Sequence, residues 1–398
     1  MSEGLPKRQR LAMDTLLAHA GGDPSDRQGA VNPPVYRAST FLFETAAEWE
    51  ASREHKRRFD VVRYGQLATP TTLALEEAIA TLEGGYRAML LPSGLAAVTV
   101  ALQALVRSGD HILVADTVYP PTRIFCDTTL RRFGVETTYY DPLIGAEIAA
   151  AFRPNTRLVF LESPGSMTFE IQDVPAICAA ARLRGIHTLL DNSWATPYFF
   201  PAFDRGVDVS ILAATKYIGG HSDVMMGTVT TTEPLYEPIR STVAELGFCV
   251  SSDDAYLALR GLRTLSVRLE RHERNAVRIA AWLASRPEVK RVLYPALADA
   301  PGAALWRRDF LGASGLFGVE LQQVPKANVD RMLNSLELFG MGASFGGFES
   351  LLIPVDPRPF RTATRWTHDG PLIRIHVGLE DPDDLIADLG RGLEQLRG

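Results

Sequence analysis

The sequence has 398 residues, of which 46% are hydrophobic and 22% are charged, a composition typical of globular proteins. At roughly 100–200 residues per domain, this length predicts two or three domains. The formal net charge of −6, with both signs spread along the chain, argues against a basic face for nucleic acid. The chain has no run of about 20 apolar residues, so we expect no membrane span. Its three cysteines, Cys126, Cys178 and Cys249, form no CxxC pair, which predicts reduced thiols in a cytoplasmic protein.

The first 64 residues lack a regular alternation of strands and helices. They contain two short amphipathic stretches, Leu11–Ala18 and Ala46–Arg58, joined by loops that contain glycine and proline. Amphipathic stretches without a core of their own are expected to pack on another surface. Residues 1–64 are therefore predicted to form an N-terminal arm.

From Met89 onward, short apolar runs alternate with segments of helical periodicity. Strands separated by helices of this length predict βαβ units and a mostly parallel sheet, so the predicted fold class is α/β. The predicted strands are Met89–Leu91, His111–Ala115, Thr137–Tyr140, Arg157–Leu161, Thr188–Leu190, Val209–Leu212 and Thr228–Thr231, and the helices between them are Leu95–Val106, Pro121–Phe133, Ile144–Phe152 and Val174–Leu183.

A long helical pattern over Ala255–Leu283 leads into a second group of elements. Strands are predicted at Gly315–Leu321 and Leu372–Val377, and a helix at Pro382–Leu396. These elements predict a smaller C-terminal α/β domain. The predicted organisation is thus an arm over 1–64, a large domain over 65–260 and a small domain over 261–398.

The strongest chemical signal lies in Val209–His221, where an apolar strand leads through small residues to Thr215, Lys216 and two glycines. A lysine just beyond a buried strand has a partly desolvated amine, and desolvation lowers its pKa. The neutral amine is the form that attacks an aldehyde. Taken alone, a lysine after a strand is most often a surface residue, so this interpretation depends on partners elsewhere in the chain.

One such partner is a carboxylate at the end of the preceding strand. Asp191 follows the apolar run Thr188–Leu190 and precedes Lys216 by 25 residues. A side chain at the carboxyl end of a parallel strand faces the ligand crevice. A carboxylate there would keep the ring nitrogen of pyridoxal 5′-phosphate (PLP) protonated. Taken alone, Asp191 is also compatible with a helix N-cap.

The segment Leu91–Ala97 follows a strand and opens a helix. Gly94 permits a close approach of the backbone, and the free N–H groups of a helix start bind phosphate. The hydroxyl of Thr215 is a further candidate donor to the same phosphate. As an isolated Ser-Gly pair the signal is weak, because many helices begin this way.

Two further side chains complete the candidate site. Tyr119 follows the strand His111–Ala115, where its ring is a candidate to stack on a pyridine ring. Arg374 lies inside an alternating strand, where a bidentate grip on a substrate carboxylate would account for its charge. A loop tyrosine and an exposed strand face are the alternative interpretations. Because His221 and His376 show no metal-ligand spacing, we predict no metal.

With Ala214–Tyr217 and Gly219–Asp223 in place, the sequence resembles the Cys/Met-metabolism family of PLP-dependent enzymes, which has fold type I. The resemblance runs from about residue 32 to the C-terminus. Within this family the sequence is similar to the bacterial cystathionine β-lyases. The segments that carry the second likeness are Leu161–Ser166, Asp141–Gly145 and Gly378–Ile386.

The resemblance implies a role for each matching residue. Lys216 matches the Schiff-base lysine, and Asp191 matches the partner of the pyridine nitrogen. The remaining matches are the ring-stacking Tyr119, the backbone phosphate donors Gly94 and Leu95, the carboxylate-binding Arg374, the neighbouring Ser344, and Tyr64, which reaches the active site of the next subunit.

Two positions depart from the family pattern. The family reads Tyr-x-Arg after the arm, with the arginine binding phosphate across the dimer, whereas this chain has Gln66. Arg63 is close in sequence, but the alternation of a strand would point it differently. Phe345 stands where the similar β-lyases often carry tryptophan, so the substrate-binding end of the site is expected to differ.

The expected function is a PLP-dependent C–S β-lyase of methionine biosynthesis (transsulfuration), which cleaves L-cystathionine to homocysteine, pyruvate and ammonia. Lys216, with Tyr119 or Tyr64, is expected to move protons, and Arg374, Ser344 and Phe345 to bind the substrate. Two alternatives remain: a γ-eliminating or γ-replacing relative, and a PLP-binding protein without lyase activity. The resemblance also implies a homo-oligomer, a tetramer built from dimers.

Overall fold

The structure, a computed structural model, describes residues 11–23, 25, 28–53 and 61–397. The beginning of the predicted arm and the end of the stretch predicted over Ala46–Arg58 lie outside the described residues. Within the described part of the arm are the short helices α1 (Met13–His19) and α2 (Ala46–Ser52).

The rest of the chain alternates strands and helices. The strands are β1 (Arg87–Leu91), β2 (His111–Ala115), β3 (Glu136–Tyr140), β4 (Thr156–Glu162), β5 (His187–Asp191), β6 (Val209–Leu212), β7 (Gly227–Thr231), β8 (Val289–Leu293), β9 (Leu316–Leu321), β10 (Leu351–Val355) and β11 (Leu372–His376). The helices are α3 (Pro70–Glu83), α4 (Gly94–Leu105), α5 (Pro120–Phe125), α6 (Val174–Arg182), α7 (Thr196–Phe199), α8 (Glu233–Glu245), α9 (Ser252–Leu262), α10 (Leu265–Ala284), α11 (Ala303–Asp309), α12 (Lys326–Ser335) and α13 (Pro382–Glu394).

Two sheets organise these elements. The large sheet has the strand order β1-β7-β6-β5-β4-β2-β3, in which β2 to β6 run parallel to one another and β7 runs antiparallel to both of its neighbours. The small sheet has the order β10-β11-β9-β8 and is antiparallel. Strands β2 and β6 are buried along their whole length, as expected for a sheet covered by helices on both faces. The predicted α/β fold with a mostly parallel sheet is thus confirmed, whereas the domain boundaries at 64 and 260 stay predictions.

The single long helix predicted over Ala255–Leu283 is wrong, because the chain breaks between α9 and α10. Gly261 packs so closely on the loop after Lys216 that an added Cβ would lie 2.4 Å from the Ile218 carbonyl oxygen. The guanidinium of Arg268 then donates to the carbonyl oxygens of Gly261 and Tyr217, each at 2.7 Å. The break therefore fastens the start of α10 to the lysine loop.

Of two other helix predictions, one needs correction and one is confirmed. The segment predicted as a helix over Ile144–Phe152 forms a 3-10 helix over Gly145–Ala151, because Gly145 enters it with a left-handed φ of +54°. The helix predicted over Pro121–Phe133 is confirmed, because residues 120–132 are continuously helical, with a π-helical turn over Cys126–Leu130. Among the described residues, no helix is both long and apolar enough to cross a membrane.

A buried carboxylate ties the small sheet to the large one. Asp116 follows β2 and accepts hydrogen bonds from the backbone N–H groups of Thr362 and Thr364, both at 2.9 Å, and from Arg123. Burial opposes its charge, but the hydrogen bonds from this loop outweigh burial and lower the pKa of Asp116. The loop between β10 and β11 is thereby held against Asp116 at the end of β2. Asp116 precedes Tyr119 by three residues in the sequence.

A second buried carboxyl group gives the fold a pH dependence. Glu83, at the end of α3, accepts a hydrogen bond from the Ser210 hydroxyl, and burial raises its pKa from 4.5 to about 8. Between these two values the unfolded chain loses the proton while the folded chain keeps it. The free energy of unfolding should therefore fall by about 1.4 kcal/mol per pH unit over this window on account of Glu83.

Glu83→Gln should remove this contribution, because an amide has no proton to lose. The stability advantage of the variant over the parent protein should grow from pH 5 to pH 9 in thermal unfolding. Glu77→Gln is the matched control, since Glu77 is an exposed residue of the same helix. An advantage of Glu83→Gln that is independent of pH would contradict the assignment.

Candidate active site

The side chains predicted for the site converge at one edge of the large sheet. Strands β2, β4, β5 and β6 are parallel, so their carboxyl ends meet at this edge. Tyr119 follows β2, Glu162 and Asp191 end β4 and β5, and Lys216 follows β6. The small sheet adds Arg374 from the middle strand β11.

The amine of Lys216 is held at the junction of the two sheets. Its Nζ donates a hydrogen bond of 2.9 Å to the hydroxyl of Ser344 and lies 4.9 Å from the centroid of the Phe345 ring. Burial, assisted by the positive charge of Arg374 and opposed by Asp191, lowers the pKa of Lys216 to about 8. The neutral, nucleophilic fraction of the amine near neutral pH is thus far larger than that of a free lysine, whose pKa is 10.5.

The carboxylate of Asp191 lies deep in the protein but keeps part of its surface accessible. One of its oxygens accepts a hydrogen bond of 3.0 Å from the backbone N–H of Ser193. Burial raises the pKa of Asp191, against the hydrogen bonds from Ser193 and the charge of Lys216. A positively charged group beside this carboxylate would therefore be stabilised.

Tyr119 is half-exposed at the start of α5, and its backbone N–H donates a hydrogen bond of 2.6 Å to Glu162. Burial raises the pKa of the phenol; the charge of Arg374 opposes the rise, while Glu162 and Asp191 add to it. These electrostatic contacts bring Tyr119 into the same site as Arg374 and Asp191.

Arg374 is the charged residue in the centre of the small sheet, where it lies opposite Gly318 of β9 and Ile353 of β10. Burial lowers the pKa of its guanidinium. Within the described residues, the structure records no hydrogen bond or ion pair for this side chain. Its positive charge helps to lower the pKa of Lys216 and opposes the rise in the pKa of Tyr119, so the guanidinium lies near both side chains. It is therefore available to a carboxylate that enters between them.

The start of α4 forms the candidate phosphate cradle. The Ser93 hydroxyl caps the helix by accepting a hydrogen bond of 3.0 Å from the N–H of Ala96. Gly94 packs on the end of β6, where an added Cβ would lie 2.7 Å from the Cβ of Ala213. The N–H groups of Gly94 and Leu95, at the first turn of a 12-residue helix, are therefore placed beside the lysine loop.

Within one chain, three of the residues singled out in the sequence make their contacts outside the candidate site. The hydroxyl of Thr215 bonds to the backbone of Met226 and so closes the lysine loop. Tyr64 is half-exposed and bridges to Thr40 of the arm. Gln66, which replaces the arginine of the family, donates a hydrogen bond of 3.2 Å to the carbonyl of Ala244 in α8.

Two residues of the site were missed in the sequence. Glu162 ends β4 as Asp191 ends β5, so the same strand-end rule would have found it; burial and Asp191 raise its pKa well above the usual range. Ser193 has no such signal. Its N–H binds Asp191, and its hydroxyl accepts a hydrogen bond of 2.6 Å from the N–H of Ala213.

These residues fit PLP. The accessible carboxylate of Asp191 suits a protonated ring nitrogen, the helix start at Gly94 suits a phosphate, and the Lys216 amine suits an aldehyde. Among the described residues, no group of three or more histidine, cysteine, aspartate or glutamate side chains is placed to hold a metal ion.

The lowered pKa of Lys216 predicts how the PLP-free protein reacts. The rate of covalent attachment of PLP should rise with pH and be half-maximal near pH 8, well below the 10.5 of a free lysine. Arg374→Ala should move the midpoint upward by removing a nearby positive charge, whereas Arg374→Lys should preserve it. A midpoint near 10.5 in the parent protein would contradict a desolvated amine.

Comparison with known proteins agrees with this geometry. A family model of Cys/Met metabolism PLP-dependent enzymes matches residues 14–394. A putative cystathionine beta-lyase of Rhizobium johnstonii is 49% identical over 388 residues, which cover 96% of each chain. Cystathionine beta-lyase MetC of Escherichia coli is 42% identical over 392 residues, which cover 96% of this chain and 98% of the relative. The crystal structure of metB from Corynebacterium glutamicum superposes with a TM-score of 0.88 at 33% identity, over 98% of this chain and 99% of that chain.

A mostly parallel sheet with a lysine beyond one strand and a carboxylate at the end of the neighbouring, preceding strand is the arrangement of a PLP-dependent enzyme of fold type I. The family match extends over nearly the whole chain. The protein belongs to the Cys/Met metabolism family of PLP-dependent enzymes.

Proposed function

We propose that this protein binds PLP on Lys216 and is a C–S β-lyase that cleaves L-cystathionine to homocysteine, pyruvate and ammonia. The observation that carries the proposal is the meeting of three groups at one edge of the sheet. These are the partly neutral amine of Lys216, the half-buried carboxylate of Asp191 and the guanidinium of Arg374, which has no hydrogen-bond or ion-pair partner among the described residues.

When bound, PLP supplies an electron sink for the charge that develops at the substrate Cα. The carboxylate of Asp191 would stabilise a positive charge on the ring nitrogen of PLP, and so favour that flow of electrons. Arg374 binds the α-carboxylate and orients the Cα–H bond toward Lys216. The amine of Lys216, when it is free, takes the Cα proton, and the electrons of the Cα–H bond form a Cα=Cβ bond while sulfur leaves with the electrons of the Cβ–S bond. One water molecule then converts the remaining three-carbon fragment to pyruvate and ammonia.

Two tyrosines are candidates to give the departing sulfur its proton. Tyr119 has its phenol beside Arg374 and Asp191, and the raised pKa of this phenol keeps it protonated. Tyr64 is half-exposed, which suits a residue that enters the site of a neighbouring copy. Tyr119 would act in the site of its own chain, whereas Tyr64 would act in the site of a second copy.

Gly165 and Ser166 end the segment Leu161–Ser166, which carries part of the likeness to the β-lyases, and they pack on the loop that precedes Tyr119. The N–H of Ser166 donates a hydrogen bond of 2.9 Å to the carbonyl of Thr117. An added Cβ on Gly165 would lie 2.6 Å from the Cβ of Thr117, so only glycine fits there. The names of the relatives from Rhizobium and Escherichia support the same direction.

The products of L-cystathionine test the proposed function. A β-lyase needs one deprotonation, at Cα, and should release homocysteine, pyruvate and ammonia. A γ-lyase needs a second deprotonation, at Cβ, and would release cysteine and 2-oxobutyrate. We expect pyruvate to be the dominant keto acid; 2-oxobutyrate would refute the β assignment, and the absence of both would leave a PLP-binding protein without lyase activity.

We also propose a cytoplasmic homo-oligomer, a tetramer built from dimers. The arm leaves large apolar side chains in solvent, among them Leu42 at 93% and Val31 at 81% exposure, which a second copy would cover. Light scattering should give a mass of four chains, and a monomer at micromolar concentration would contradict this assembly. The three cysteines are free, as suits a reducing compartment.

A further inference from the structure

Three rings pack beneath the backbone of the lysine loop. Tyr217, His272 and His376 are each 0–1% exposed. Their centroids are 5.4 Å apart for Tyr217 and His272, 5.2 Å for the two histidines, and 6.1 Å for Tyr217 and His376. The proposed reaction uses neither histidine. A buried polar ring is costly unless it is hydrogen-bonded, so the hydrogen-bond partners of these rings indicate what they do.

His376 is bonded to the loop that carries Ser344 and Phe345. Its Nε2 lies 3.1 Å from the amide nitrogen of Gly346 and 3.2 Å from the carbonyl oxygen of Gly347. With the proton on Nδ1 the ring accepts from Gly346, and with the proton on Nε2 it donates to Gly347. Either neutral tautomer therefore fastens the same pair of glycines to β11.

The first of these glycines, Gly346, packs directly on the backbone of Lys216. Gly346 has a left-handed φ of +85°, and an added Cβ would lie 2.7 Å from the amide nitrogen of Tyr217 and 2.8 Å from the carbonyl carbon of Lys216. Two residues earlier, the Ser344 hydroxyl accepts the hydrogen bond from Lys216 Nζ. A shift of the glycines would therefore move both Ser344 and Phe345 relative to the amine.

The position of His376 on β11 links this loop to the carboxylate-binding residue. His376 and Arg374 are two residues apart on one strand, so their side chains point to the same face of the small sheet. The strand is paired on both sides, with β9 and β10, and is therefore a rigid support. It sets the distance between the guanidinium of Arg374 and the loop of Ser344 and Phe345.

We propose that His376 is a positioning residue for the substrate-binding end of the site, acting through the hydrogen bond of its Nε2 to the Gly346–Gly347 backbone. It fixes the loop of Ser344 and Phe345 at the correct distance from Arg374 and Lys216. The inference rests on the proposed function for its kinetic consequence, but not for its structural one.

Four variants separate positioning from mere packing. Gln at position 376 reaches with its amide to the place of Nε2, whereas Asn is one carbon shorter and Met has the length of Gln without the amide. His376→Met and His376→Asn should lower kcat/KM for L-cystathionine by about tenfold to a hundredfold, mainly through KM, because a displacement of about 1 Å can cost this much. His376→Gln should stay within about threefold of the parent protein. His272→Asn keeps a donor for the Val377 carbonyl, which His272 contacts at 2.7 Å, and should leave KM unchanged.

Hydrogen–deuterium exchange gives a readout that does not depend on activity. The amide of Gly346, whose N–H points to His376 Nε2, should exchange in the holoenzyme at least tenfold faster in His376→Met and His376→Asn than in His376→Gln. Equal exchange and equal KM in the Gln and Asn variants would overturn the proposal, and so would full protection in His376→Met. If the parent protein released no pyruvate, the proposed function would fail, while the exchange rates would still decide the role of His376.

Discussion

Lys216→Ala should abolish covalent attachment of PLP and lower turnover of L-cystathionine by about 10⁴-fold or more. The reason is that the amine has two roles, since it both holds the cofactor and takes the Cα proton. The visible absorbance of bound PLP and the rate of pyruvate release measure these roles separately. Added methylamine should restore part of the pyruvate release, because a small amine can enter the space that the side chain leaves.

Lys326→Ala is the matched control. Lys326 pairs with Asp330 on the surface of α12, and its side chain is 86% exposed. This variant should keep the absorbance, the stoichiometry of PLP and the turnover of the parent protein. Loss of PLP in Lys326→Ala, or its retention in covalent form in Lys216→Ala, would assign the cofactor to another site.

Arg374→Ala should raise the KM for L-cystathionine by about tenfold to a hundredfold, the equivalent of a charge-assisted bidentate contact of about 1.5–3 kcal/mol. The contact to the carboxylate is present in the ground state and in the transition state, so kcat should change much less. Steady-state kinetics at a fixed pH measure both constants.

Arg374→Lys and Arg358→Ala complete this experiment. Lysine keeps the charge but not the planar fork, so Arg374→Lys should lie between the parent protein and Arg374→Ala. Arg358 pairs with Asp356 at the surface in the loop before β11, and its loss should leave KM unchanged. A change below threefold in kcat/KM for Arg374→Ala would make Arg374 a structural residue.

The part of the site that lies at strand ends could be predicted from the sequence. Apolar runs locate the strands, and parallel strands bring their carboxyl ends together, so Asp191 and Lys216 were predictable as neighbours despite the 25 residues between them. Strand β11 was predictable for the same reason, and with it the position of Arg374. Local periodicity carries this information because each element is defined by its own residues.

Contacts made across the two sheets carry no local signal. Ser344 is 128 residues from Lys216 and was named only through the family resemblance. The bond from His376 to Gly346 depends on a left-handed glycine in a loop without regular structure. The break between α9 and α10 was missed because Arg268 satisfies the freed carbonyl of Gly261 from within a continuous helical pattern.

Reduction of the holoenzyme with borohydride, followed by peptide mapping, is the most direct test of PLP attachment to Lys216. The chain has only five lysines, at positions 7, 56, 216, 290 and 326, so the labelled peptide identifies the residue without ambiguity. We expect one phosphopyridoxyl group per chain, on Lys216. A label on any other lysine, or no label on a protein that releases pyruvate, would contradict this attachment.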